Sequence, residues 1–70
     1  MAEIRAEMVA NVWKVVAAEG DHVGDGDTLV ILESMKMEIP VLAEGSGKLT
    51  HLHVTEGDVV QEGDLIAVIE

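Results

Sequence analysis

Hydrophobic and polar residues alternate along most of the chain with a period of two rather than 3.6, the signature of strands with one face buried. Ile4, Ala6 and Met8 interleave with Glu3, Arg5 and Glu7, which predicts a half-buried strand. A turn at Ala10-Asn11 and a second, valine-rich strand from Val12 to Ala17 are expected to follow. Thr28 to Leu32 and Ile39 to Leu42 are short apolar runs bounded by turn residues, and they read as a hairpin around Met35 and Lys36. A two-residue loop there pairs Leu32 with Ile39 and Val30 with Val41 on the inner face, leaving Glu33 and Glu38 opposite each other outside. Pro40 has no N–H to donate, so its strand belongs at a sheet edge. Gly45-Ser46-Gly47 reads as a turn, and Lys48 to Val54 and Leu65 to Ile69 complete the strand set. No segment sustains a capped helical period, so the fold class is all-β.

Superimposed on this pattern is a duplication. Residues 19–33, EGDHVGDGDTLVILE, align without a gap on residues 56–70, EGDVVQEGDLIAVIE, at an offset of 37 positions. The identities include Gly20/Gly57, Asp21/Asp58, Gly26/Gly63 and Asp27/Asp64. Glycine followed by aspartate at these places predicts tight turns, because glycine accepts positive φ and the aspartate carboxylate bonds nearby backbone amides. Two copies of one unit with Lys36 at their junction suggest a symmetric scaffold displaying one amine.

Composition sets bounds on this picture. Seventy residues are expected to form a single domain over 1–70, and a chain of this size buries only about 60% of its unfolded surface. Its apolar fraction of 49% comes almost wholly from Val, Ile, Leu, Ala and Met, which suits a thin core between sheets. Trp13 is the one aromatic side chain, and a packing role is expected for it. Cysteine is absent, so no disulfide or thiolate metal centre contributes. Fourteen acidic against four basic residues give a net charge of −10, which repels nucleic acid and anionic membranes and keeps a small domain soluble. A monomer is expected. The start, MAEIRAE, does not read as a secretory leader, and a cytoplasmic location is expected.

The candidate chemistry lies in Glu33-Ser34-Met35-Lys36-Met37-Glu38. A free lysine amine is protonated in all but about one molecule per thousand near neutral pH. Nothing in the sequence activates Lys36 as a nucleophile by burial or by a neighbouring cation. It therefore suits an amine that another enzyme modifies better than a catalytic Schiff-base lysine. Met-Lys-Met after a Gly-Asp-rich hairpin, together with the repeated Glu-Gly-Asp, resembles the biotinyl and lipoyl carrier domains, above all the small free-standing biotin/lipoyl attachment proteins. The resemblance runs from about Glu3 to Glu70.

That resemblance implies a flattened barrel-sandwich hybrid of two small antiparallel sheets related by a pseudo-two-fold axis, with Lys36 at a hairpin tip and both termini at the opposite end. It implies a biotin carboxyl carrier-type protein, not an enzyme: a biotin protein ligase attaches biotin covalently to Lys36, and the arm carries carboxybiotin from a biotin carboxylase to a carboxyltransferase. Met35 and Met37 would then be read by the ligase, with Glu33, Ser34 and Glu38 around them. Ordinary hairpin packing is the alternative role for the methionines. Ser34 stands where biotin carriers usually have alanine. Lipoyl domains usually carry an acidic residue before the lysine, whereas here both neighbours are methionine, which favours biotin over lipoate. A lipoyl or dual carrier, or an unmodified interaction module, are the other readings.

Two further patterns point to less. His51 and His53 share a strand face but lack further ligands for a metal, and DHVGDGD lacks the spacing of a calcium loop and reads as a turn.

Overall fold

The computed structural model describes residues 2–70. Eight strands run in chain order: β1 Ala2–Arg5, β2 Ala10–Val15, β3 His22–Val23, β4 Thr28–Ser34, β5 Met37–Leu42, β6 Gly47–Leu52, β7 Val59–Val60 and β8 Leu65–Ile69. They form two four-stranded antiparallel sheets, ordered β1-β8-β6-β3 and β5-β4-β2-β7. No helix occurs among the described residues. The all-β fold class is as the periodicity implies, and the two small antiparallel sheets are as expected.

The internal repeat is written into the topology. A shift of 37 positions carries β1 to β5, β2 to β6, β3 to β7 and β4 to β8, and it turns each sheet order into the other. The registers follow: Leu32 pairs with Ile39 as Ile69 pairs with Ala2, and Val30 pairs with Val41 as Ala67 pairs with Ile4. Irregularities match as well, with a bulge between Val12 and Lys14 on β2 and its counterpart between Leu49 and His51 on β6.

Each half depends on the other for its backbone hydrogen bonds. Gly20 N–H donates to Leu49 O at 2.8 Å and Gly57 N–H to Val12 O at 2.9 Å. Gly26 N–H reaches Ala43 O and Gly63 N–H reaches Ala6 O. All four glycines have φ between 89° and 96°, the left-handed region that a Cβ disfavours. Within each turn an aspartate holds the chain: Asp27 accepts from Gly24 N–H and Asp64 from Gln61 N–H, both at 2.8 Å. The predicted turn roles of these repeated residues are therefore what the fold uses.

Between the sheets lies a thin aliphatic core in which Leu29, Leu49, Ile66, Val12 and Val30 are fully buried. No buried side-chain polar atom among the described residues lacks a partner. The predicted edge position of Pro40 holds, since β5 is the outer strand of its sheet.

Several expectations are corrected. Met8 does not continue the inward row of Ile4 and Ala6: β1 ends at Arg5, Ala6 N–H donates to Asp64 O, the chain bends at Glu7-Met8, and Met8 is exposed. Ala10-Asn11 is not a turn but the start of β2, paired with Val60 and Val59. Trp13 is not a core residue. Ala10 and Val12 both face the core, so alternation turns Trp13 outward and leaves it 47% exposed, and the bulge between Val12 and Lys14 keeps Lys14 on that same outer side. The Lys14 amine lies 6.0 Å from the centroid of the Trp13 ring.

Candidate functional site

The β4–β5 hairpin is the longest paired element of its sheet, and its ladder runs without interruption from Val30–Val41 to Ser34–Met37. Leu32 is buried and Ile39 half-buried, which anchors the hairpin to the core on its inner face. Strand pairing therefore continues two residues further on each side than the apolar runs alone indicate. The turn closing it consists of Met35 and Lys36, with φ of 52° and 64°. Positive φ at both central residues marks a type I′ turn, the geometry whose twist matches two antiparallel strands.

Such turns usually take Asn-Gly, because the left-handed region costs an L-residue with a Cβ roughly 1–2 kcal/mol. Here a methionine and a lysine occupy it. The ladder behind the turn holds them there, and the side chains are thrown outward, Met35 being 88% exposed. Lys36 is exposed too, and among the described residues its side chain takes part in no hydrogen bond and no ion pair. The turn thus presents a free primary amine at the tip of a stiff support, a suitable acceptor for acylation by an enzyme that can surround it.

The remaining predicted residues surround that tip. Ser34 pairs directly with Met37, and Glu33 with Glu38, as the two-residue loop requires. Met37 shares the inner face with Ile39 by alternation, but it projects beyond the core and is 59% exposed. Neither methionine is a core residue. Lys36 does not screen the two glutamates through an ion pair: among the described residues the one pair formed is Arg5–Glu3, at 2.9 Å.

The lysine tip stands at the far end of the molecule from Ala2 and Ile69. β2 leaves the tip at Asn11, beside Glu33, and the chain beyond it reaches Leu49, the neighbour of Ile69, through the Gly20 hydrogen bond. His51 and His53 stack with ring centroids 5.9 Å apart. No group of three metal-ligating side chains occurs among the described residues. Sequence reasoning missed a row of exposed apolar residues on the outer face of the sheet that bears Lys36, including Val9, Val16 and Val59. Comparing the two halves of the repeat position by position would have exposed it.

The comparisons with known proteins agree with this geometry. The chain is 63% identical over 70 residues to "Biotinylated protein TB7.3 homolog" of Mycobacterium leprae, covering 99% of each chain. It is 44% identical over 63 residues to "Biotin/lipoyl attachment protein" of Bacillus subtilis, covering 90% of this chain and 86% of that one. Among solved structures, the urea carboxylase of Kluyveromyces lactis matches with a TM-score of 0.92 and 45% identity, over 99% of this chain. The chain spans 6% of the length of that carboxylase. These relatives of similar length are named for the group attached to them, and the chain is, like them, a carrier. A family model described as "Biotin-requiring enzyme" matches residues 2–69, and the chain belongs to this biotin/lipoyl family.

Proposed function

We propose that Lys36 is the covalent attachment point for biotin and that the chain serves as a biotin carboxyl carrier for a carboxylase-type enzyme. The observation that carries this reading is the unengaged amine of Lys36 on a type I′ turn, flanked by two exposed methionines. Biotin, once attached, supplies a ring nitrogen that accepts a carboxyl group at a biotin carboxylase and yields it at a carboxyltransferase.

The protein's own residues provide position and access. The β4–β5 ladder keeps the lysine stem directed away from the sandwich, so an enzyme can enclose the amine without unfolding any strand. Met35 and Met37 offer flexible, polarizable contact to a biotin protein ligase and then to the carboxylase partners, a role suited to a surface that meets several proteins. Glu33, Ser34 and Glu38 form the base of the same hairpin. Tethering raises the effective concentration of the carried group at each site. The carrier is monomeric in this reading, because a net charge of −10 opposes self-association.

Intact-mass spectrometry of the chain after incubation with biotin, ATP and a biotin protein ligase tests the proposal. One biotin is expected, mapped to Lys36 and lost in Lys36→Arg. Labelling of Lys14 or Lys48 instead would overturn it, and a lipoyl increment from a lipoate ligase with no biotin increment would assign the other carrier class.

A further inference from the structure

The repeat provides an internal control for the surface. Positions related by 37 residues occupy equivalent places on the two sheets, so the fold makes nearly the same demand on both. Yet on the outer face of the sheet bearing Lys36 stand Val9, Trp13, Val16, Pro40 and Val59, all exposed. Their counterparts on the other sheet are Ser46, Thr50, His53, Glu3 and His22, exposed or half-buried. Every one of the five is apolar on one sheet and polar on the other, so the scaffold itself does not require the apolar set.

The face is continuous with the lysine hairpin. Asn11 lies between Glu33 and Val59 across three strands, and Lys14, beside Trp13, pairs with Ile31, which pairs with Pro40. Along the edge nearest the tip it carries Glu33 and Glu38, neither ion-paired among the described residues. An apolar patch bordered by free carboxylates fits a surface with an apolar depression bordered by Lys or Arg. A second copy of this chain offers the opposite, since two chains of net charge −10 repel.

We propose that this face, centred on Trp13, docks the carrier onto a basic-rimmed apolar surface of its biotin carboxylase. This rests on the carrier reading above. Trp13 is the anchor, as large aromatic side chains dominate interface energetics, and Glu33 and Glu38 orient the tip so that Lys36 points along the docked face toward the partner's site.

The variant for the test replaces each residue by its own counterpart: Trp13→Thr, Val16→His and Val59→His together, a change the related sheet already accommodates. The probe is a biotin carboxylase subunit without its own carrier domain that turns over the biotinylated wild-type chain at lower KM than free biotin. The triple variant should raise KM for the carrier about tenfold or more, leave kcat within about twofold and leave KM for free biotin unchanged. With a ¹⁵N-labelled carrier, signals of β2 and β7 should shift or broaden on adding the carboxylase while those of β3 and β6 stay put. Added salt should weaken the wild-type complex.

Other outcomes overturn the proposal in distinguishable ways. A chain that gains no biotin overturns the carrier reading and this inference with it. A biotinylated chain whose KM is unaffected by the triple substitution, or that no carboxylase prefers to free biotin, overturns this inference alone. Loss of ligation rate with normal carboxylation would reassign the face to the ligase, and a concentration-dependent dimer abolished by the substitutions would reassign it to a second copy. A circular-dichroism melt of the triple variant checks that it is folded.

Discussion

Glu33 and Glu38 are directly paired across β4 and β5, one step behind the Ser34–Met37 pair that closes the lysine turn. Like charges directly opposite on an antiparallel ladder are destabilising by some tenths of a kcal/mol, and neither forms an ion pair among the described residues. The hairpin that must present Lys36 thus carries a local charge conflict at its base.

Relieving that conflict should stabilise the isolated protein. Glu38→Gln is expected to raise the unfolding free energy measured by urea denaturation by a few tenths of a kcal/mol, with the gain shrinking in high salt as the repulsion is screened. A lowered unfolding free energy would show that Glu38 makes a favourable contact in the free protein.

The turn itself is the second place where stability and presentation diverge. Asparagine tolerates positive φ better than methionine, so Met35→Asn should stabilise by about 0.5–1 kcal/mol while slowing biotin transfer. Met35→Ala and Met37→Ala should cost well under the roughly 2–5 kcal/mol of a buried methionine truncation, again with slower transfer. Denaturant midpoints and initial ligation rates measure both quantities; large stability losses with normal transfer would assign the methionines to the scaffold.

Glycines in the repeat should respond according to distinct mechanisms. A Cβ at Gly26 or Gly63 meets nothing within 4 Å, and only φ of 89° and 90° resists it, so Gly26→Val and Gly63→Val should each destabilise by about 1 kcal/mol or more. Gly47 has no such φ, but its Cβ would collide with the Glu70 carbonyl. Gly47→Ala should therefore cost about 1–3 kcal/mol through displaced backbone. In a domain of this size each kcal/mol lowers the melting temperature by about 4–8 °C. Unchanged melting of the Gly26 and Gly63 variants would refute the duplicated-turn account.

Asp27 and Asp64 offer a test of the pseudo-symmetry. Each accepts one backbone N–H at 2.8 Å, and removal of either by alanine should cost about 0.5–1.5 kcal/mol. The two losses should agree within a few tenths and add in the double variant, since the turns share no partner. Unequal losses in thermal melts would show that the halves are not energetically equivalent.

Local patterns were enough for much of the carrier. The hairpin register, Lys36 at its tip, Pro40 at an edge and the turn roles of Gly20, Gly26, Gly57 and Gly63 follow from alternation and turn chemistry, both of which act over a few residues. The tertiary structure decided the rest. Whether β8 would lie between β1 and β6, and β4 between β5 and β2, depends on hydrogen bonds between residues far apart in sequence, such as Gly57 to Val12 and Gly63 to Ala6. The same long-range pairing placed the bulge that keeps Lys14 outward beside Trp13 and ended β1 before Met8. A single inserted residue reverses the face of everything beyond it, and an alternating sequence carries no mark of where the partner strand will force that insertion.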